Sequence, residues 1–216
     1  GCVSKETGWQ PCHIILKDQN ETIIACAPMY IKSHSFGEYV FDHAWANAYE
    51  QAGGSYYPKL LIAVPFTPVT GARLLVRSNN NKELLKNTLL NAAIETAKKN
   101  NISSLNINFA TKDEFSNINN KVFLQRIGEQ FHWKNNGYKS FNEFLVQLSS
   151  RKRKAILKER KKATESGIEI FKIKGNNITE KEWEAFYRFY INTSERKWGQ
   201  AYLNKKFFHL IGENMP

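Results

Sequence analysis

Over the first hundred residues, apolar positions come in short dense runs whose spacing changes from one run to the next. Residues 13–16 and 22–31 are β-rich stretches separated by Lys17-Asp18-Gln19-Asn20-Glu21, a pattern that predicts a hairpin. Residues 38–41 read as a further extension of the sheet, and 44–51 (AWANAYEQ) favour a short helix closed by Gly53-Gly54. The run 59–66, set between Pro58 and Pro65, has the continuous apolar character of a central strand covered on both faces. Extended structure resumes at 73–77 after the Pro68/Gly71 turn. Residues 82–100 then carry Leu85, Leu89, Ala92, Ala93, Ile94 and Ala97 on one stripe, as expected of a helix packed on the sheet. Residues 105–109 are the next strand, 113–120 a polar turn or short helix, and 131–133 another extended piece.

The second half changes character. Ser140 with Glu143 makes a capping box, opening a helix with Phe141, Phe144, Leu145 and Leu148 on one face. Ser150 can cap the helix that follows, and Gly167 stands where a left-handed C-terminal residue is expected. Ile168, Ile170 and Ile173 then alternate as in a strand ending at Gly175. Thr179 with Glu182 forms a second capping box, ahead of Trp183, Phe186, Tyr187, Tyr190 and Ile191 at helical spacing. Asn204 can cap a last helix with Phe207, Leu210 and Ile211 inward. The pattern divides the chain into a first domain (1–148), a linking helix (149–167) and the start of a second domain (168–216). One strand and two helices leave apolar faces uncovered, so further strands are expected beyond Pro216, in a longer protein of which this chain is a fragment.

Charge sharpens one part of this picture. The chain of 216 residues has a formal net charge of +11, and residues 151–162 alone hold eight Lys or Arg against Glu159. Twelve residues therefore carry +7, leaving the rest only mildly basic. This is either a solvated linker helix or an anion-binding face. The apolar fraction of 42% suffices for a buried core, which excludes a disordered tail. No apolar run approaches the ~18 to 20 residues that span a bilayer and no signal peptide opens the chain, so a cytoplasmic location is the expectation. Cys2, Cys12 and Cys26 include no C-x-x-C, and the five histidines have no H-x-x-x-H spacing, so neither a disulfide framework nor a metal site is expected.

Several blocks carry a family likeness. They are Lys32-Ser-His-Ser-Phe-Gly-Glu-Tyr-Val-Phe-Asp42, Tyr56-Tyr-Pro-Lys59, Val64-Pro-Phe-Thr-Pro-Val-Thr-Gly-Ala-Arg73, Phe131-His-Trp-Lys-Asn-Asn-Gly-Tyr138, Ser149-Ser-Arg-Lys-Arg-Lys154 and Lys197-Trp-Gly199. Together they resemble proteins related to the Fem-type peptidoglycan aminoacyltransferases, over nearly the whole chain. The resemblance implies an α/β (α+β) fold, a tandem pair of GNAT-like domains each with a mixed sheet flanked by helices, the second copy truncated. It also implies transfer of an acyl or aminoacyl group, from acyl-CoA or aminoacyl-tRNA, to an amine such as a peptidoglycan precursor. GNAT enzymes hold the carrier's pyrophosphate on a Q/R-x-x-G-x-G/A loop at a helix N-terminus. Here Pro68 and Arg73 stand at the wrong places around Gly71, so the first domain is expected to lack a carrier site, and the resemblance puts the donor site in the second domain.

Candidate residues follow from polar and aromatic positions bordering the apolar strands. Glu38, Asp42, Tyr57, Lys59, Thr67 and Arg73 are expected to converge as an acceptor cleft, where loops on a rigid scaffold carry function. Arg151, Lys152, Arg153 and Lys154 are the candidate site for an anionic donor. Ser33-His34-Ser35 offers hydrolase residue types, but Ser and His adjacent in a strand point to opposite faces and no G-x-S-x-G turn is present. No catalytic residue is assigned. Two other classes remain open: a nucleic-acid (tRNA) module gripping phosphates through 151–162 with Trp133 or Tyr138 stacking bases, and a cell-wall recognition module without catalysis.

Overall fold

Pro28 interrupts the apolar run 22–31. Having no N–H to donate to a ladder, it ends one strand and starts another. In a computed structural model, which describes residues 3–77, 81–118, 122–165, 167–197 and 201–215, β2 (Ile14–Lys17) and β3 (Ile23–Ala27) form the expected antiparallel hairpin. The carboxylate of Asp18 accepts the N–H groups of Asn20 and Thr22 at 2.8 and 3.0 Å and closes the turn. After Pro28, β4 (Met29–Lys32) leaves for a different sheet, pairing antiparallel with β1 (Trp9–Pro11) and β5 (Lys59–Ile62). β7 (Leu105–Ile107) adds in parallel to β5, giving the order β1-β4-β5-β7, while β6 (Leu75–Val76) adds to β3 in the order β2-β3-β6. The fold is mixed α and β, but where one mixed sheet was expected there are two.

β5 is interior in its sheet and all four of its residues are buried. The strand ends at Ile62, before the loop that contains Pro65. Between β6 and β7 the chain forms α2 (Lys82–Lys99), with Glu83 in its first turn and Lys98 and Lys99 in its last, each complementing the helix dipole. Leu89, Leu90, Ala93 and Ala97 of α2 pack into one core with Ala25 and Ala27 of β3, Met29 of β4, Leu60 and Ile62 of β5, and Leu74. One helix thus covers both sheets. α1 (His43–Gln51) and α3 (Lys112–Asn117) form as expected, the latter with a full capping box between Thr111 and Glu114. Residues 38–41 are not strand: the chain has left-handed φ at Gly37 and Tyr39 (78° and 56°), which breaks the extended course.

By contact the chain divides into residues 1–125 with 200–203, and 126–199 with 204–216. α4 (Phe141–Val146), which the pattern assigns to the first domain, therefore belongs to the second unit with α5 (Ser150–Thr164), α6 (Glu180–Arg196) and α7 (Lys205–Asn214). Rings of Trp133, Tyr138 and Phe141 gather on Phe144 in that unit. Residues 131–133 and 168–173 form no strand. Ile168 and Ile170 are exposed, and the described residues of this unit offer no strand for them to pair with. In α7 the inward residue is Phe208, against Trp183, Phe186, Tyr187 and Tyr190 of α6, whereas Phe207 and Leu210 are exposed. Gly167 has the expected left-handed φ of 70°, although α5 itself ends at Thr164. Cys2, Asn120, Trp198 and Gly199 lie outside the described residues.

Candidate active site: a buried pair of lysines and carboxylates

Side chains alternate across β4 and β5. Met29, Leu60 and Ile62 face α2, so Tyr30, Lys32, Lys59 and Leu61 face the other way. The register sets Lys32 directly opposite Lys59, and Trp9 of β1 opposite Lys32. Two like charges so placed repel one another. Lys32 and Lys59 are also 0% and 1% exposed, so water cannot screen them.

The segment 33–42 supplies what the lysines lack. It turns back over the sheet at Gly37, where a side chain is doubly excluded, by the left-handed φ and by Phe66 ring atoms 2.6 Å from where a Cβ would lie. The Trp9 indole and the Lys32 ammonium both donate to the Phe36 carbonyl, at 3.0 and 3.2 Å, which fastens the turn. The next residues then place Glu38 and Asp42 on the lysines. Lys59 Nζ donates to Glu38 Oε2 at 2.9 Å and to Asp42 Oδ2, and Lys32 Nζ lies 3.9 Å from Glu38 Oε1. Lys59 also donates to Ser35 Oγ at 2.8 Å, which lies 2.8 Å from the Tyr57 hydroxyl, and the Tyr56 hydroxyl donates to Asp42 Oδ2 at 2.9 Å. Lys32 sits 3.8 Å above the Trp9 ring. Asp42 holds the N-cap position of α1, yet its carboxylate makes no cap there and turns to Lys59 and Tyr56 instead.

Burial and charge pull these groups in different directions. Burial drives the Lys32 ammonium down to about 7, with the attraction of Glu38 resisting. Burial pushes Glu38 up, against the pull of Lys59 and Lys32. Burial would raise Asp42 too, but hydrogen bonds from Lys59 and Ser35 and the charge of Lys59 hold it below the ordinary carboxylate range. Tyr56 is raised by burial and by the Asp42 carboxylate beside it. Asp42 is thus firmly ionised, whereas Lys32 and Glu38 are drawn toward their neutral forms. Two carboxylate oxygens in the cluster, Glu38 Oε1 and Asp42 Oδ1, are buried and accept no hydrogen bond. Buried acceptors without a donor are uncommon in folded proteins.

A family model described as FemAB-like, peptidoglycan biosynthesis/recognition, matches residues 1–216. The chain belongs to the FemAB-like family. No curated protein and no solved structure matches it.

Within this FemAB-like chain, Glu38, Asp42, Tyr57 and Lys59 of the six expected acceptor residues come together, and Thr67 and Arg73 do not join them. Thr67 is exposed and its hydroxyl donates to the Pro65 carbonyl at 3.1 Å. Arg73 is buried, but its guanidinium donates to the carbonyls of Asn108 (2.8 Å), Ala72 (3.3 Å) and Val69, tying down the loop after β5. Glu114 accepts the backbone N–H groups of Arg73 and Leu74. Lys32, Ser35, Tyr56 and Trp9 complete the cluster; none of them is among the expected acceptor residues, and Ser35, considered only for its hydrolase residue type, serves here as a hydrogen-bond partner of Lys59. The one available signal was phase, since Lys32 shares the β4 face of Tyr30. His34 faces Phe36 and lies outside the ionic cluster.

Arg151, Lys152, Arg153 and Lys154 occupy the first turn of α5, with Arg153 half-buried and the other three exposed, and none of the four has an ion-pair partner among the described residues. Cations at that end of a helix oppose its dipole. Among the described residues no group of three or more His, Cys, Asp or Glu could hold a metal, and no helix is long and apolar enough to cross a membrane.

Proposed function

We propose that this FemAB-like protein acts in peptidoglycan biosynthesis as an acyl- or aminoacyl-transferase of the GNAT type, its first unit holding the amine that accepts the group. The observation that carries this reading is the pair of open carboxylate oxygens, Glu38 Oε1 and Asp42 Oδ1, beside two lysines in one buried cluster. An ammonium has three donors and no acceptor, so it suits oxygens of this kind. Before the amine can attack a carbonyl it must lose a proton, and Glu38, whose hold on a proton is raised, is the nearby group placed to take it. Tyr56 and Tyr57 are half-buried and form the rim of the cluster.

The test is calorimetry with the full-length protein and a peptidoglycan stem peptide bearing a free amine, set against the same peptide acetylated on that amine. The free-amine peptide should bind, and acetylation or Glu38→Gln should weaken it by about tenfold or more, near the ~1.5 kcal/mol of one charged hydrogen bond. Equal binding of both peptides, or none by the unaltered protein, overturns the reading. A bound peptide that accepts no acyl group from either donor class would leave recognition without catalysis.

A second observation favours a nucleic-acid or nucleotide donor. Arg151, Lys152, Arg153 and Lys154, without an ion-pair partner among the described residues, open a helix with no acid in its first turn, a place where phosphates of aminoacyl-tRNA or of a CoA carrier would relieve repulsion.

A further inference from the structure

We propose that the exposed aromatic face of α1, centred on Trp45 and Tyr49, is a stacking platform for the sugar of a peptidoglycan fragment whose amine enters the neighbouring cluster. The inference rests on the reading of that cluster as the amine-acceptor site. Within α1 only Ala46 is buried, while Trp45 and Tyr49 are 61% and 49% exposed, so both large rings present surface that packing within the fold does not use. Their i,i+4 spacing puts them side by side on one face. The electron-rich face of an aromatic ring attracts the weakly positive C–H groups on the apolar face of a pyranose.

The platform runs into the cluster. The Tyr49 ring lies over Gly54, where a Cβ would come within 2.3 Å of it, and meets the Tyr56 ring at 6.3 Å. Tyr56 in turn donates to Asp42, the residue at the head of α1. A ligand with a saccharide and an amine on a short peptide would meet both ends of this row, and a peptidoglycan unit is such a molecule. A bilayer surface suits α1 less well. Helices that lie on membranes are rich in Lys and Arg on their polar face, whereas HAWANAYEQ contains neither and carries an acid, Glu50, in its last turn.

The experiment uses the whole chain with two separate probes, a β-1,4-linked N-acetylglucosamine tetramer and the free-amine stem peptide without sugar. The tetramer should bind, Trp45→Ala should weaken it by about tenfold or more, and the same variant should bind the peptide unchanged. Tyr49→Ala gives an independent variant, and an unaltered melting temperature shows that the fold is intact. Peptide binding without tetramer binding, or tetramer binding indifferent to both substitutions, overturns the platform and leaves the cluster reading standing. Tetramer binding without peptide binding supports the platform and removes the cluster reading. Binding of anionic phospholipid vesicles through Trp45, with no affinity for the tetramer, overturns it in favour of a membrane surface.

Discussion

Lys32 and Lys59 face one another across two strands, both buried, and Glu38 and Asp42 supply the opposite charge that makes the arrangement tolerable. The arrangement has a pH signature. Lys32 has an ordinary value near ~10.4 in the unfolded chain and about 7 in the folded one, so between those values the unfolded chain binds more protons. Stability conferred through Lys32 therefore rises as pH climbs from about 7 toward about 10. Glu38 acts in the opposite sense: raised above its unfolded value near ~4.3, it costs stability as pH rises through its own range. Thermal melts from pH 6 to 10 should show an alkaline gain in the unaltered protein, on the order of a few kcal/mol at ~1.4 kcal/mol per unit, that is absent from Lys32→Met. Parallel pH profiles for the two would contradict this account of Lys32. Glu38, Asp42, Tyr57 and Lys59 were legible in sequence as polar and aromatic positions bordering expected strands. Lys32 was not, since a lysine closing a strand ordinarily points to solvent. Arg73 was misassigned for a related cause: nearness to a strand in sequence does not say which carbonyls a long side chain will reach.

Among the elements, those governed by local chemistry were the readable ones. The caps at Ser140, Thr179 and Asn204 each begin a helix, although Ser150 is the first residue of α5 and Ser149 stands at its N-cap, and α2 runs within one residue of the span that its stripe indicated. Strands depend on partners far away in the chain. Residues 168–173 alternate correctly yet form no strand, and the run 22–31 serves two sheets because one proline lacks a donor. Which residue of a helix points inward also depends on what it meets: spacing favoured Phe207, but Phe208 is the one enclosed by α6, at 5% exposed against 37%. Phe208→Ala should accordingly destabilise the α6–α7 pair by about 3–5 kcal/mol, whereas Phe207→Ala should cost less than about 1 kcal/mol. Hydrogen exchange of the α6 amides in the two variants decides it, and a larger loss of protection in Phe207→Ala would reverse the assignment.

At the scale of the whole molecule, charge is the least evenly distributed property. With +7 of the +11 in residues 151–162, reversing Arg151, Lys152, Arg153 and Lys154 to Glu should abolish binding of an anionic donor while leaving the melting temperature unchanged or higher, since acids suit a helix N-terminus. In the unaltered protein, log K for that donor should fall with log salt by roughly 0.7–0.9 per phosphate contacted. Retained binding after reversal would make the cationic face of α5 a plain solvated surface of the second unit. The paired lysines also bear on how the chain finds its fold. β5 is buried along its whole length, with Leu61 on one face and Leu60 and Ile62 on the other, so apolar burial alone discriminates poorly between neighbouring alignments with β4. Sliding β5 by one residue would carry Lys59 to the α2 side, away from Glu38 and Asp42, and leave a bare ammonium in the core. The charge cluster thus works as a key that admits one alignment of the central strands and rejects its neighbours.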